Sequence, residues 1–357
     1  MRSLYCTADQ VATPTGGGAV TANEIEALGA VSQELVILSA RELQPALYAQ
    51  PESPFAYDHF ALHRVQEMGN FDLAHFYSGT FSNTVRWLKS QGGVVTYTVP
   101  AHDRRVTVEE HRLQGLDYPY PHISDDRLWR LFSRGYRDAD IVVAPSSLAA
   151  RFLEAEGCQD VRVIPHGCWP PERVAGMPQE FTAGYLGQVG IDKGLIYLLK
   201  AWESLNYRDA TLVLAGPGTD SLGPYIQANV NGGKIKLLGF VPDVSAFYAS
   251  VSVYVQCSVC ESFGIEILEA LACGRPVIAS EGAGASELVE EGMGFRAPIR
   301  DPAAIARAIA WCRQHRGSLA EMGQKGRKKA EEYSWLKIRS KYQQMWATVC
   351  PSDPDGR

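Results

Sequence analysis

The chain has 357 residues, 46% of them hydrophobic and 21% charged, with a formal net charge of −6. That length exceeds what one ordinary core holds and suits two domains of about 150 to 200 residues each. The composition excludes a disordered chain, and the acidic balance excludes a generic nucleic-acid binder, which needs a basic footprint.

No apolar run reaches the roughly 18 residues of a membrane span. The opening MRSLYCTADQ lacks the basic-then-apolar order of a signal peptide, so a cytoplasmic address is expected, at most peripheral to a membrane face. Cysteines are scattered, which makes disulfides the minority reading. Cys257 and Cys260 form a Cys-x-x-Cys, but no second ligand pair of similar spacing accompanies them, so neither a zinc nor a redox site is expected.

In chain order, a strand over 3–6 leads through Pro14, Thr15, Gly16, Gly17 and Gly18 into the helical pattern AVTANEIEALGA. Glycines between a strand and a helix let a phosphate approach the backbone, although by themselves they also read as a plain flexible loop. Strands over 34–38, 73–76 and 94–99 alternate with helical segments such as 83–90, the pattern of a parallel sheet covered on both faces. Ligands of such sheets bind beyond the carboxyl ends of the strands, where His102 and Asp103 fall; His75, His111 and His122 have weaker claims. Residues 104–124, which include Tyr118, Pro119, Tyr120 and Pro121, read as an irregular loop bordering an acceptor site.

The next helical stretch, DDRLWRLFSRGYRDA, sets Arg127, Arg130, Arg134 and Arg137 on one stripe. A solvated face is the commoner meaning; the stripe also suits weak contact with anionic lipid or with a phosphorylated acceptor. Asp138-Ala139-Asp140 has the spelling of a metal motif, but it precedes a strand over 141–144, at the end away from any ligand-bearing edge. It reads as a helix end and strand start, and no metal is expected. A strand over 161–164 is followed by a Pro- and Gly-rich linker over 168–180.

A second series then starts: strand 183–186, loop 187–194, helix 195–204, strand 211–215, a Gly-Pro-Gly turn, strand 235–238 and helix 244–249. In its first loop Lys193, backed by Gly194, suits a pyrophosphate as a point charge, although an exposed lysine is often plain surface. The stretch SVYVQCSVCESFGIEILEALACGRPVIASEGAGASEL follows, read as strand 252–256, a loop with Glu261, a helix from Gly264 to Gly274, and strand 276–280. Ser262, Phe263, Gly264 and Ile265 present backbone N–H groups at the helix start, where the peptide dipoles favour an anion. Glu261 and Glu269 border that point. Carboxylates repel phosphate, so they suit sugar hydroxyls around it.

Two glutamates flanking Ser-Phe-Gly, followed by Glu-Ala-Leu-Ala-Cys-Gly-Arg-Pro-Val, resemble the retaining glycosyltransferases of family 4, the glycosyl transferases group 1, which have the GT-B fold. The resemblance implies an α/β architecture of two Rossmann-like, doubly wound domains facing each other across a cleft. The expected parts are an acceptor-side domain over 1–167, a linker over 168–180, a nucleotide-sugar-binding domain over 181–335, and a terminal helix over 336–350 that crosses back to the first domain. It also implies that His102 and Glu261 orient the donor sugar and that Glu269 holds the ribose. Gly17 and Gly18 would face the donor phosphates, with Gln188, Lys193, Gly194 and the helix start from Ser262 to Ile265 completing the donor site. The family usually has Arg where Gln188 stands, so one positive donor is missing, and Glu266 replaces what is Pro or another neutral residue in many relatives.

The expected activity is transfer of a sugar from a nucleotide diphosphate donor, taken as a UDP-sugar, to an acceptor hydroxyl. The resemblance implies retention of configuration without a metal or other cofactor. Expected partners are the donor and a sugar, lipid-linked or small-molecule acceptor, and no nucleic acid. A non-catalytic nucleotide-sugar sensor or partner subunit of the same fold is the competing reading, to which Gln188 lends support. A dinucleotide dehydrogenase is disfavoured, because Gly16-Gly17-Gly18 lacks the Gly-x-Gly-x-x-Gly spacing.

Overall fold

The computed structural model describes residues 1–9, 11, 16–39, 56–101, 103–118, 125–229 and 234–350. His102, expected to orient the donor sugar, lies outside the described residues, as do Pro14, Thr15, Pro119, Tyr120, Pro121 and His122. The chain opens with β1 (Arg2–Thr7), α1 (Gly16–Gly29), β2 (Glu34–Leu38), α2 (Ala56–Met68), β3 (Leu73–Tyr77), α3 (Ser82–Ser90) and β4 (Val94–Thr98). Next come α4 (Arg104–Leu113), α5 (Asp126–Phe132), α6 (Arg134–Arg137), β5 (Ile141–Ala144), α7 (Ser147–Ala155) and β6 (Val161–Val163). The second series runs β7 (Phe181–Leu186), α8 (Leu195–Leu205), β8 (Ala210–Ala215), α9 (Gly223–Asn229), β9 (Lys234–Gly239), α10 (Val244–Ala249) and β10 (Val253–Gln256). It closes with α11 (Ile265–Ala272), β11 (Val277–Ser280), β12 (Gly294–Ala297), α12 (Pro302–Gln314), α13 (Leu319–Ala330) and α14 (Trp335–Val349).

Two six-stranded sheets result, in the orders β2-β1-β3-β4-β5-β6 and β12-β11-β10-β7-β8-β9, with every described pairing parallel. Parallel strands covered on both faces are apolar at successive positions, and β10 and β11 are buried throughout. Alternation then sends neighbouring side chains to opposite layers. Val253 and Val255 join a core with Leu198, Trp202 and Ile309, whereas Tyr254 joins another with Phe247, Ile267 and Leu271. The fold is thus two doubly wound α/β units.

One compact unit comprises Met1–Ala101, Tyr118–His166 and Trp335–Arg357; the other comprises His102–Asp117 and Gly167–Ser334. The single boundary expected at residue 167 therefore misplaces the segment 102–117, which groups with the second unit. The irregular loop expected over 104–124 is also corrected in its first half, which is α4. Asp103 caps this helix by accepting a hydrogen bond from the Arg105 backbone N–H at 3.0 Å, and Arg112 pairs with Glu109 one turn back at 2.7 Å. What fixes it is tertiary: the side chain of Glu110, fully buried, takes Arg300 Nε at 2.6 Å and Tyr197 OH at 2.7 Å, a demand that no local pattern reveals.

The arginine stripe is broken between α5 and α6 at Ser133. Arg130, Arg134 and Arg137 still line one pocket, but Asp138 and Glu156 line it with them, Arg134 faces Asp138 at 3.5 Å, and the Arg137 guanidinium donates to the Arg130 carbonyl. No helix among the described residues is long and apolar enough to cross a membrane.

Candidate functional site

In the second unit β7 and β10 are sheet neighbours, with Val253 opposite Ala183 and Tyr254 opposite Gly184. The loops leaving their carboxyl ends therefore run side by side. Val259 N–H donates to the Asp192 carbonyl at 2.8 Å, and the Cys257 thiol donates to the Lys193 carbonyl at 3.3 Å. Contact is so close at Gly194 that a Cβ there would lie 2.1 Å from the Cys257 carbonyl oxygen. Gly194 also sits at φ 65°, the left-handed region that suits glycine, and caps α8.

This docking brings the Lys193 ammonium onto the Glu261 carboxylate as an ion pair, with the two side chains 20% and 18% exposed. Glu261 is held by its backbone from the other side. Its N–H donates to the Gly282 carbonyl at 2.9 Å, its own carbonyl accepts from Gly284 at 3.1 Å, and the Phe263 carbonyl accepts from Ala285 at 2.7 Å. Phe263 is buried in the core beneath, and Ser262 is buried beside it. Gly264, at φ 87°, then turns the chain into α11. Ile265 and Glu266 form the first turn, where backbone N–H groups point along the axis away from the helix and the dipole is positive.

Gln188 lies in the same loop as Lys193 with its side chain exposed. Its carbonyl accepts from Tyr185 OH at 3.0 Å, while the adjacent Gly187 and Val189 N–H groups reach the Ala215 and Pro217 carbonyls at 3.0 and 3.1 Å. The loops after β7, β8 and β10 thus converge at the carboxyl edge of this sheet, where open α/β sheets bind ligands.

Electrostatically the place is crowded with acid. Lys193 meets Glu261, with Glu266 in the adjoining first turn and Glu269 one turn on. Burial alone would lower the Lys193 pKa, but Glu261 and Glu266 outweigh it and raise it, so the ammonium is firmly charged. Burial, with Glu261 adding to it against Lys193, raises Glu266. Burial and the charge of Glu266 push Glu269 up to about 7. Among the described residues its hydrogen bond comes from Tyr248 OH, a long 3.3 Å, and Tyr248 also reaches the Glu266 carbonyl at 3.0 Å. Burial pushes the Cys257 and Cys260 thiols up to about 12, so both are protonated at neutral pH.

Lys193, Gly194, Glu261, Ser262, Phe263, Gly264, Ile265 and Glu269 are therefore gathered around one helix start, with Gln188 on the adjoining loop. Asp103 reaches the same place, its carbonyl accepting from the Cys260 thiol at 3.4 Å. Gly17 and Gly18 belong to the first unit, in the first turn of α1. Sequence reasoning passed over Tyr248, whose only local signal was a tyrosine on a short helix, and gave Glu266 no part beyond its helix dipole.

Residues 180–315 match the family model described as glycosyl transferases group 1. Among curated proteins, the lipopolysaccharide core biosynthesis mannosyltransferase LpcC of Rhizobium leguminosarum bv. viciae is 31% identical over 49% of the chain and 54% of its own length. The amylovoran biosynthesis glycosyltransferase AmsK of Erwinia amylovora is 28% identical over 75% of the chain and 64% of its own length. The matches thus span about half to two thirds of these relatives. Among solved structures, sucrose-phosphate synthase from Thermosynechococcus elongatus superposes with a TM-score of 0.78 at 18% identity, covering 98% of the chain and 99% of its own. HepE of Anabaena in complex with UDP-glucose gives 0.71 at 18% identity, covering 98% and 100%. The class is thus GT-B, two doubly wound units. Within the second unit, residues 180–315, which carry the constellation around Lys193, match the glycosyl transferases group 1 model.

Proposed function

We propose that the protein is a glycosyltransferase that moves a sugar from a nucleotide diphosphate, read as a UDP-sugar, to an acceptor hydroxyl with retention of configuration and without a metal. The observation that carries this reading is the meeting of Lys193 with Glu261 at the start of α11, one turn from Glu269. In the structure the ammonium and the carboxylate pair with each other. A donor diphosphate is the stronger partner for Lys193, and taking it releases the Glu261 carboxylate to accept hydrogen bonds from the sugar.

Departure of the nucleotide builds negative charge on the diphosphate, and Lys193 with the α11 N–H groups would stabilise that charge in place. Glu269, short of donors, suits two ribose hydroxyls. Those hydrogen bonds favour the ionised carboxylate, so nucleotide affinity should rise with pH through about 7. His102 is assigned to the sugar ring; His102→Ala should lower turnover and leave nucleotide affinity near wild type, and full activity in that variant would remove the role. Retention would follow from same-face attack, with a donor phosphate oxygen helping to take the acceptor proton.

UDP is favoured over other bases by the HepE complex with UDP-glucose, a neighbour over almost the whole chain. Mannosyltransferases among the relatives make GDP-mannose the control. Calorimetric titration with UDP, GDP and ADP and their common sugar conjugates, with and without EDTA, tests the donor. Micromolar binding of UDP in EDTA is expected; binding of none of them overturns the reading. Proton NMR of the product anomer tests retention.

A further inference from the structure

Beside the Lys193 loop the second unit contains a cavity of about 410 Å³ that the donor chemistry leaves unused. Its walls are Leu116, Val189, Ile191, Leu195, Leu199 and Leu222, and no charged side chain among the described residues lines it. Gln114 also lines it, but its amide already donates to Glu110 Oε1 at 2.9 Å and reaches Tyr197 OH at 3.4 Å. A phosphate, a sugar or a nucleotide base would lose its hydrogen bonds to water here and regain almost none. An aliphatic chain loses nothing of that kind and gains burial, and the volume lies in the range of small-molecule sites.

The cavity is also continuous with the donor-binding loop. Val189, Gly190 and Ile191 stand between Gln188 and Lys193, and the Lys193 and Gly194 N–H groups donate to the Gly190 and Ile191 carbonyls at 3.2 and 3.1 Å. One tight turn therefore forms the cavity wall on one side and sets Lys193 on the other. At the mouth Leu116 is 52% exposed, an apolar side chain leading from solvent into the space.

We infer that this cavity receives the apolar part of the acceptor, an alkyl or isoprenyl chain, while the acceptor's hydroxyl is presented to the donor sugar. This rests on the glycosyltransferase reading above. The chain is bound by burial alone, so affinity depends on its length and not on its charge. Because the same turn carries Lys193, an occupied cavity also steadies the ammonium that takes the donor diphosphate.

The test uses the full chain and a series of n-alkyl β-D-glucosides, methyl through decyl, below their micellar concentrations, read by calorimetry or saturation-transfer NMR. Binding should tighten by about threefold per added CH2 until the cavity is full. Leu199→Trp, which fills the space, and Leu222→Gln, which makes a wall polar, should both flatten that dependence while UDP binding persists. No dependence on chain length in the wild type, or the same dependence in both variants, overturns the inference. Length-dependent binding in a protein that binds no nucleotide overturns the acceptor role and the donor reading together, and leaves an apolar site of another purpose.

Discussion

Glu24 of the first unit and Glu269 of the second are both carboxylates on helices packed against a parallel sheet, and their pKa values move in opposite directions. Burial pushes Glu24 up, but His75 beside it and hydrogen bonds from Thr98 and Tyr5 more than reverse this and hold it below the usual range. Tyr5 OH and Tyr342 OH each donate to it at 2.7 Å, and His75 Nε2 lies 3.5 Å away, in turn bonded to Thr96 and Thr98. Glu269 has the long hydrogen bond from Tyr248 and a second carboxylate nearby, and it rises to about 7. Glu24 is wholly buried and Glu269 partly so; what separates them is that the fold supplies Glu24 with His75 and with hydrogen-bond donors. A carboxylate whose donors come from the protein fastens structure. One left short of them is held ready for donors that arrive with a ligand.

Glu24→Ala should cost about 3 to 5 kcal/mol in denaturant unfolding, because it strands Tyr5, Tyr342 and His75 in the interior. A loss below about 1 kcal/mol would mean the network contributes little. The lowered pKa gives the sign of its pH dependence: the Glu24 contribution is present above the unfolded value of about 4.5 and is lost as pH falls through the lower folded value.

Glu269→Gln should act in the reverse sense. A carboxylate raised to about 7 in the folded state opposes folding increasingly as pH rises from about 4.5, fully above about 7, and not below about 4.5. Removing it should stabilise the unliganded protein by up to about 3 kcal/mol at pH 8 and by little at pH 4.5. The same substitution should weaken nucleotide binding by about 1 to 3 kcal/mol. A variant less stable than wild type at pH 8 would place Glu269 with the structural carboxylates.

Lys193→Ala should reduce nucleotide affinity by about 2 kcal/mol, as expected for loss of a charge-assisted contact in a partly buried site. Equal affinity in the calorimeter would show that the α11 N–H groups suffice. The smallest effect is expected from Gln188→Arg. An exposed cation added to the same loop should tighten nucleotide diphosphate binding by about 1 kcal/mol, more at low salt than at high. Salt-independent or weaker binding would show that Gln188 is not aimed at the diphosphate.

Local signals made most of the site legible. Gly194 and Gly264 both adopt positive φ, which is why glycine stands at each helix start, and the apolar strands β7, β10 and β11 were readable from unbroken runs of buried residues. The same locality explains the failures. The segment from Arg104 reads as loop because its apolar positions are few, and its helix is fastened through Glu110 to Arg300, 190 residues away. The arginine spacing suggested one helix where Ser133 and the buried Gly135 divide two.

Periodicity and contiguous runs of residues in the sequence account for the two series of alternating strands and helices, the resemblance of residues 180–315 to the glycosyl transferases group 1, and the loop that carries Glu261. Tertiary structure alone pairs Lys193 with Glu261, 68 residues apart, and lets Glu266 raise its neighbour Glu269. It alone grouped residues 102–117 with the second unit and opened an apolar cavity beside Lys193. The physical reason is common to these: burial and charge depend on distance in space, and distance in space is set by which strands are neighbours in the sheet.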